Sequence, residues 1–448
     1  MDTRHRTWAT SERFVPKTFI RPLVRFSQIE ASSGIVLLLA AVIALIWANS
    51  AWGDTYFSLL EQHTNIEFFA FHLEESVLDL INDGLMAVFF FVVGLEIKRE
   101  LILGDLRDPK AAALPVMAAL GGMVVPALIF LSFNAGTPAS HGWGIPMATD
   151  IAFAVGVVSL LGSRVPPGAK LFLLAIAIAD DIGAIAVIAI FYTSDLNAGY
   201  FGAAIAGLVV VWIASKVHVR AMWFYVPAAF VIWYLTLESG VHATLAGVAL
   251  AFLTPAGPYY EPQEFDQRAR SILDQYDADN RTDRQAQDHS DYEALLLSDI
   301  ANESVSPLSR LEHKLVGWSS FVVVPLFALA NAGVDFRGVS IGEALTNKVA
   351  LGVGLGLLIG KISGISLASF GAVRSGMGKL PPGTGWNHVI GLSTVAGVGF
   401  TVALFVTGLA FTDPGVTDLA KVGIFSGSLV AGIIGTILLS RARPHREL

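Results

Sequence analysis

The chain has 448 residues, of which 54% are hydrophobic and only 15% are charged, and its net charge is −8. An average soluble chain carries about 25% charged residues, so this composition excludes an ordinary soluble enzyme and a nucleic-acid-binding protein that relies on a basic surface. Cysteine is absent, which excludes disulfides, thiolate zinc sites and cysteine nucleophiles. The composition predicts an all-α integral membrane protein.

Twelve apolar stretches are candidates for crossing the ~30 Å hydrocarbon core, although several are short. Their approximate limits are 33–53, 78–97, 111–133, 143–162, 170–192, 199–215, 222–237, 240–254, 316–333, 349–371, 388–409 and 420–440. The first follows a basic segment, residues 1–32, and no small-residue cleavage site comes after it. We therefore expect a retained signal-anchor helix and not a removed signal peptide.

The basic residues orient these spans. With the N-terminus inside, 25 of the 29 Lys and Arg fall in inner segments, and three (Arg337, Lys348 and Lys421) fall in outer segments. This asymmetry predicts that both termini lie in the cytoplasm. The spans then form two blocks, residues 33–254 with spans 1 to 8 and residues 316–440 with spans 9 to 12. A short cytoplasmic tail, 441–448, follows them.

Two longer segments are expected outside the membrane. Residues 255–315 form a hydrophilic cytoplasmic loop rich in Asp, Arg, Gln and Ser, for which we expect a disordered linker in preference to a folded regulatory domain. Residues 54–77 form an outer loop in which apolar and polar residues alternate imperfectly. This alternation predicts a short β-hairpin.

Four ionisable residues lie close to the middle of predicted spans: Asp150, Asp180, Asp181 and Lys361. Each costs at least ~2.5–3.5 kcal/mol to insert, so each requires a reason. A purely structural ion pair accounts for Lys361 and one carboxylate but not for three. Two neighbouring carboxylates in a low-dielectric region resist being ionised together, so proton uptake competes with cation binding there. The pattern favours a site that holds protons or a cation.

Two of the predicted spans contain stretches that weaken a helix. The stretch 144–150 contains Pro146 and ends in Thr149 and Asp150, and the stretch 394–401 contains two glycines. Paired interruptions in the two halves of a transporter are typical of a substrate site. A stripe of small residues in the tenth span predicts close helix packing beside Lys361; it consists of Gly352, Gly356, Gly360 and Gly364.

Several strings resemble those of one known family. They are Leu80-Ile81-Asn82-Asp83-Gly84-Leu85-Met86, Gly94-Leu95-Glu96-Ile97-Lys98-Arg99-Glu100, Ala148-Thr149-Asp150-Ile151-Ala152-Phe153-Ala154, Ala179-Asp180-Asp181-Ile182-Gly183-Ala184, Ser239-Gly240-Val241-His242-Ala243-Thr244-Leu245-Ala246-Gly247 and Gly360-Lys361. In this order, over about residues 25 to 440, they resemble the NhaA family of bacterial Na+/H+ antiporters.

The resemblance implies an inverted-topology repeat with two interrupted helices, spans 4 and 11. It implies that Asp180 and Asp181 form the cation and proton site, where Na+ binds, with Asp181 as the principal ligand. Asp150 and Thr149 would lie at the interruption of span 4. Lys361 would pair with Asp180 and release it as the occupancy of the site changes.

A second group of residues is implied in regulation by cytoplasmic pH. From the residues alone, a Glu, Arg and His cluster at a membrane edge is by default a solvated rim. The residues that match the family are Glu96, Arg99, Glu100, His242, Glu312 and His313. Two departures bear on this assignment. The 255–310 loop is longer than the family's usual connection, and no further His follows His313 closely.

The expected activity is electrogenic extrusion of Na+ or Li+ in exchange for H+, activated by alkaline cytoplasmic pH, in the bacterial inner membrane. No cofactor is expected, because Na+, Li+ and H+ are transported. The resemblance also implies a homodimer formed through the outer loop 54–77. Two alternatives remain at this point, a passive cation channel and an intramembrane aspartyl protease, although no Gly-x-Gly-Asp string occurs.

Overall fold

The computed structural model describes residues 31–68, 71–193, 196–219, 222–275, 284–337 and 341–442. Within these ranges the regular structure is helical apart from one two-stranded hairpin, which confirms the all-α fold class. The predicted basic segment up to residue 30 and the last six residues of the tail lie outside the described ranges.

The elements follow one another as a series of apolar helices joined by short connections. In chain order they are α1 Ser32–Ala48, α2 Gly53–Leu60, β1 His63–Phe68, β2 Phe71–Ser76, α3 Val77–Ile102, α4 Pro109–Asn134, the 3-10 helix Pro138–Met147, α5 Ile151–Leu160, α6 Pro167–Phe191, α7 Ala198–Lys216, α8 Met222–Glu238, α9 Thr244–Leu253, α10 Pro262–Gln275, α11 Arg284–Glu303, α12 Pro307–Asn331, α13 Ile341–Thr346, α14 Lys348–Arg374, α15 Trp386–Val395, α16 Phe400–Ala410 and α17 Pro414–Arg441. Single π-helical turns interrupt α3, α12 and α14.

The described helices include eight that are long and apolar enough to cross a membrane by themselves. The number rises to ten if α1 with α2, and α15 with α16, each form one bent span. The apolar helices α8 and α9 are shorter. Each predicted apolar stretch thus contains a helix, whereas the count of twelve full crossings stays a prediction.

Side-chain caps fix where several helices begin. The carboxylate of Asp108 accepts a hydrogen bond from the N–H of Lys110 in the first turn of α4, and the side-chain oxygen of Asn197 accepts from the N–H groups of Gly199 and Tyr200 at the start of α7. Asp413 accepts from the N–H groups of Gly415 and Val416 at the start of α17. These caps satisfy N–H groups that the first turn of a helix leaves without an intrahelical partner, so short polar residues punctuate the apolar sequence.

The glycine stripe of α14 lies against α4. A Cβ atom on Gly364 would lie 2.2 Å from the carbonyl oxygen of Gly121, and one on Gly360 would lie 2.7 Å from Cα of Pro126. Only glycine permits backbones to approach so closely. The predicted close packing is confirmed, and it fixes the position of the residue that follows Gly360, Lys361.

The segment 54–77 contains the predicted hairpin. Strands β1 and β2 pair antiparallel, with Thr64 opposite Glu75 and Ile66 opposite Leu73. The two residues between the strands, 69 and 70, lie outside the described ranges. The first part of the same loop is helical, because α2 occupies it after a bend of 112° from α1.

The expectation of a disordered linker at 255–315 is wrong for the described residues, since α10 and α11 lie there. Their high polarity conceals apolar residues at helical spacing, and Ile272 and Ile300 are buried. Two backbone hydrogen bonds close the base of the segment. The N–H of Tyr259 donates to the carbonyl of Glu303 (2.9 Å), and that of Leu308 donates to Pro255 (3.1 Å).

Candidate cation and proton site

Two helical spans are interrupted near their middles, and the interruptions meet. Three non-helical residues, 148–150, separate the 3-10 helix from α5. Residues 396–399 separate α15 from α16, with a bend of 47°. The N–H of Asp150 donates to the carbonyl of Val398 at 2.7 Å. The predicted interruptions are confirmed, and backbone groups freed by one are satisfied by the other.

The local sequence explains why these stretches are not helical. Pro146 lacks an N–H, so it removes one hydrogen bond from the last turn of the 3-10 helix, just before the break. In the other break, a Cβ atom on Gly399 would lie 2.6 Å from the carbonyl oxygen of Ala148, and one on Gly397 would lie 2.4 Å from that of Leu357. A larger residue at Gly399 would push the two breaks apart, and one at Gly397 would push its break away from α14.

The carboxylate of Asp150 is buried between the starts of two half-helices. It accepts hydrogen bonds from the N–H of Phe153 in α5 (3.0 Å), and from the N–H (3.1 Å) and hydroxyl (2.9 Å) of Thr401 in α16. Helix N-termini carry partial positive charge. The negative charge of Asp150 is therefore offset without a basic side chain.

Lys361 has no exposed surface, and its ammonium group makes three contacts. It donates to Asp180 Oδ2 at 2.6 Å, to the hydroxyl of Thr149 at 3.0 Å, and to the carbonyl of Met147. Met147 is the last residue of the 3-10 helix, and the carbonyl end of a helix carries partial negative charge. The cation is thus held by one carboxylate and one helix end.

The hydroxyl of Thr149 links this ion pair to the second break. Besides accepting from Lys361, it lies within hydrogen-bonding distance of Asp180 Oδ2 (2.8 Å) and of the carbonyl of Ala396 (3.0 Å). A hydroxyl has one proton, so it donates to one of these two acceptors at a time. The structure therefore brings together four of the five residues predicted for the ion site through direct or shared contacts.

Asp181 is different. Its side chain is 5% exposed, and among the described residues no side chain or backbone group donates a hydrogen bond to it. The charges close enough to act on it are those of Asp180, Glu96, Asp150 and Lys361, and three of these four are negative. A buried carboxylate without a partner is costly. Oδ1 of Asp180, the neighbouring residue, also has no partner.

The predicted regulatory cluster lies at the end of α3. The guanidinium of Arg99 donates to the carboxylate of Glu312 in α12 and to that of Glu100 at 3.3 Å. Glu96 lies one helical turn before Glu100 and is near enough to Asp181 for their charges to interact. Four of the six predicted residues therefore lie between the surface end of α3 and the ion site.

The two predicted histidines are placed differently. The side chain of His313 is exposed beside this cluster. His242 lies elsewhere, because its Nε2 donates to the carbonyl of Tyr192 (2.7 Å), which follows the end of α6. The regulatory cluster lies near a different part of α6. There Ile178 of α6 packs in one hydrophobic cluster with Ile97, the residue that follows Glu96 in α3. Tyr192 comes fourteen residues after Ile178, which is about 21 Å along the helix axis. The structure therefore does not bring His242 to the cluster.

Thr401 contacts Asp150 in the site, a role that was not predicted from the sequence. The glycines of residues 394–401 indicate a weakened helix around Thr401. Nothing in the sequence, however, shows that the hydroxyl of Thr401 contacts Asp150, 251 positions away. Its position in the first turn of a half-helix is the signal that could have indicated this role, because that is where a helix binds an anion.

Comparisons with known proteins agree with the geometry. The sequence profile of the family described as Na+/H+ antiporter 1 matches residues 24–439. A Na+/H+ antiporter NhaA of Syntrophobacter fumaroxidans is 44% identical over 437 residues, covering 96% of this chain and 93% of that protein. That of Rhodopirellula baltica is 43% identical over 431 residues, covering 96% of each chain. The chain belongs to the NhaA family.

Membership of the NhaA family makes the chain a secondary transporter and not an enzyme. The alternative of an intramembrane aspartyl protease has no support, because the chain that carries the buried acids belongs to a family of antiporters. The apolar helices agree with a multi-pass membrane protein. Ions that the protein transports are its substrates and not its cofactors.

Proposed function

We propose that the protein exchanges Na+, or Li+, for H+ across the membrane at Asp180 and Asp181. One observation carries the proposal. Asp181 is a buried carboxylate with no partner among the described residues, and it adjoins a carboxylate of which one oxygen is also without a partner. The free energy of this arrangement falls when a proton or a small cation is bound, and the two compete for the same oxygens.

The other charges of the site have compensation of their own. Asp150 is balanced by two helix N-termini, and Lys361 by Asp180 and the carbonyl end of the 3-10 helix. With the charges of Asp150, Asp180 and Lys361 balanced in this way, the negative charge of Asp181 is the one available to the transported ion. Asp181 is therefore the principal ligand in this proposal, and Asp180 becomes available when Lys361 releases it.

Exchange follows from this competition. Na+ binds when both carboxylates are deprotonated and leaves when protons bind, so neither ion crosses without the other. Access alternates as the crossed breaks, held by Asp150 and Thr149, move relative to α6 and α14. Because two carboxylates share the site, more than one proton can be exchanged for each Na+. Transport is then electrogenic, and the membrane potential contributes ~2.3 kcal/mol per charge per 100 mV to Na+ extrusion.

Regulation by pH is assigned to the cluster at the end of α3. Its carboxylates are those of Glu96, Glu100 and Glu312. Arg99 donates to Glu100 and Glu312, and Glu96 is near enough to Asp181 for their charges to interact. His313 is exposed beside them, whereas His242 contacts Tyr192 beyond the far end of α6. We assign activation at alkaline cytoplasmic pH to loss of protons from this region, which increases the negative potential at the ion site and favours a cation there.

The remaining parts of the proposal concern orientation and assembly. The asymmetry of Lys and Arg supports twelve spans with both termini in the cytoplasm, in the bacterial inner membrane. The hairpin β1–β2 is a two-stranded sheet whose edges pair with no other described strand. An edge strand can pair with another chain. We assign to this hairpin the contact between two copies in a homodimer.

Transport measured in everted membrane vesicles tests the proposed activity. Vesicles from cells that lack their own sodium antiporters are energised by respiration, and their acid interior is followed with a pH-sensitive dye. NaCl, LiCl or KCl is then added at neutral to alkaline pH. Loss of the proton gradient on addition of Na+ and Li+ but not K+, increasing with pH, is the expected result.

The variant Asp181→Asn removes the charge assigned to the cation and keeps the shape of the side chain. It should insert normally and show no exchange, because protons and Na+ compete for a carboxylate and cannot do so at a neutral amide. Normal exchange in this variant would reject the site. Movement of Na+ that dissipates a gradient but never drives uphill extrusion by the wild type would indicate a passive cation channel.

A further inference from the structure

An apolar cavity with a wide opening to the protein surface lies between α4, the 3-10 helix and α6. Its volume is about 540 Å³, within the range of about 300–1,000 Å³ that is typical of pockets for small molecules. Its walls include Met123, Ala127, Leu128, Trp143, Met147 and Gly183. Glycine at 183 leaves room for this arrangement, since a Cβ atom there would lie 2.2 Å from Sδ of Met123.

The mouth of the cavity is continuous with a face of α4 that the other described helices leave exposed. Val116, Leu120, Val124 and Leu128 recur every four residues, with exposures of 40%, 45%, 53% and 59%. Since α4 is long and apolar enough to span the membrane, this stripe contacts hydrocarbon. Val124 and Leu128 belong to both the stripe and the cavity wall.

The surroundings decide what can fill the cavity. A water molecule needs two to four polar partners, and an apolar cavity supplies none. The molecules present at a mouth in the hydrocarbon region are the acyl chains of lipids. A flexible hydrocarbon chain also matches the apolar wall, which includes two methionines, residues that adapt to irregular shapes.

The cavity adjoins the ion site through the backbone of two elements. Met147 lines it, and the carbonyl of the same residue accepts from Lys361. Gly183 lines it from α6, two residues after Asp181. We propose that the cavity is a binding site for one lipid acyl chain, which enters from the face of Val124 and Leu128 and lies against the elements that hold the ion site. This inference does not depend on which ion is transported.

Trp143 provides a reporter for this chain. Its ring lines the cavity and packs edge-on against Phe191, with centroids 5.1 Å apart. The full-length protein is reconstituted in phosphatidylcholine with bromine atoms in mid-chain, which quench tryptophan at short range, and in the same lipid without bromine. The contribution of Trp143 is the difference between the wild type and Trp143→Phe in each lipid.

A variant that fills the cavity separates entry from contact at the outer surface. Ala127→Phe places a ring inside it, while Leu120→Phe enlarges a residue of the same stripe that does not line it. Because close-packed atoms exclude an acyl chain, quenching of Trp143 should fall about twofold or more in Ala127→Phe and stay unchanged in Leu120→Phe. Val187→Phe fills the cavity from α6 and serves if Ala127→Phe does not fold.

Two results would overturn the proposal. One is the absence of Trp143 quenching in the wild type, which would show that no chain reaches the cavity. The other is equal quenching in Leu120→Phe and in both filling variants, which would show that bromine reaches Trp143 only from the surrounding bilayer.

Discussion

Replacing Thr401 with valine tests how the charge of Asp150 is held. The hydroxyl of Thr401 is one of three donors to this carboxylate, and the other two, the N–H groups of Phe153 and Thr401, are unaffected by the change. The side chain is only 4% exposed, so water cannot readily replace the lost donor. A hydrogen bond to a charged group contributes about 1.5–3 kcal/mol. We expect the free energy of unfolding to fall by this amount, roughly 10- to 150-fold in the equilibrium constant.

The chain offers a matched control on the same helix. The hydroxyl of Thr407 is fully buried and donates only to the carbonyl of Ala403 in its own helix, at 2.8 Å. That carbonyl also accepts an N–H of the helix, so Thr407→Val should cost less than about 1 kcal/mol. Thr401→Ser keeps the donor and should retain most of the stability.

The assay is unfolding of the purified protein in detergent micelles by titration with sodium dodecyl sulfate, followed by far-UV circular dichroism. Equal loss of stability in Thr401→Val and Thr407→Val would refute the reasoning. So would a Thr401→Ser variant as unstable as Thr401→Val, because the hydroxyl would then not be what matters.

Two further predictions concern packing and pH. Gly364→Ala should lower the unfolding free energy by about 1–3 kcal/mol, because the new Cβ meets the backbone of Gly121; Gly371→Ala on the same helix, with nothing within 4 Å, should cost nothing in the same assay, and equal losses would contradict this. In the connection that follows α12, hydrogen bonds from Arg337 hold the pKa of Asp335 below its usual value, so their contribution to stability is present above the unfolded carboxyl pKa of about 3.9 and is lost as pH falls below it. The difference in thermal midpoint between the wild type and Arg337→Gln should therefore be the same at neutral and alkaline pH and shrink only in acid, and a change between neutral and alkaline pH would contradict the assignment.

The charges of the site could be identified from the sequence because the bilayer makes them exceptional. Asp150, Asp180, Asp181 and Lys361 are costly within apolar spans, so the sequence alone marks them, and the structure brings them to the crossing of two broken helices. Pro146 and the paired glycines mark the breaks for the same reason, since each weakens a helix in a way that sequence displays.

Other features depend on contacts between remote parts of the chain and have no such mark. A threonine in an apolar helix carries no large cost, so the bond from Thr401 to Asp150 becomes visible only when two segments 251 positions apart are brought together. The position of His242 depends on the fold in the same way. In the 255–315 segment, the high polarity favoured a prediction of disorder, although apolar residues recur there at helical spacing. Two of these residues, Ile272 and Ile300, are buried in the structure.

Proton release on Na+ binding tests the central claim most directly. Purified protein is titrated with NaCl by isothermal calorimetry at a series of pH values from neutral to alkaline, in two buffers of different ionisation enthalpy, and the difference in heat gives the protons released per Na+ at each pH. We expect that Na+ binding to the wild type releases protons and that Asp181→Asn binds no Na+. Binding without proton release at every pH of the series, or unchanged binding by Asp181→Asn, would contradict competition between Na+ and H+ at this carboxylate.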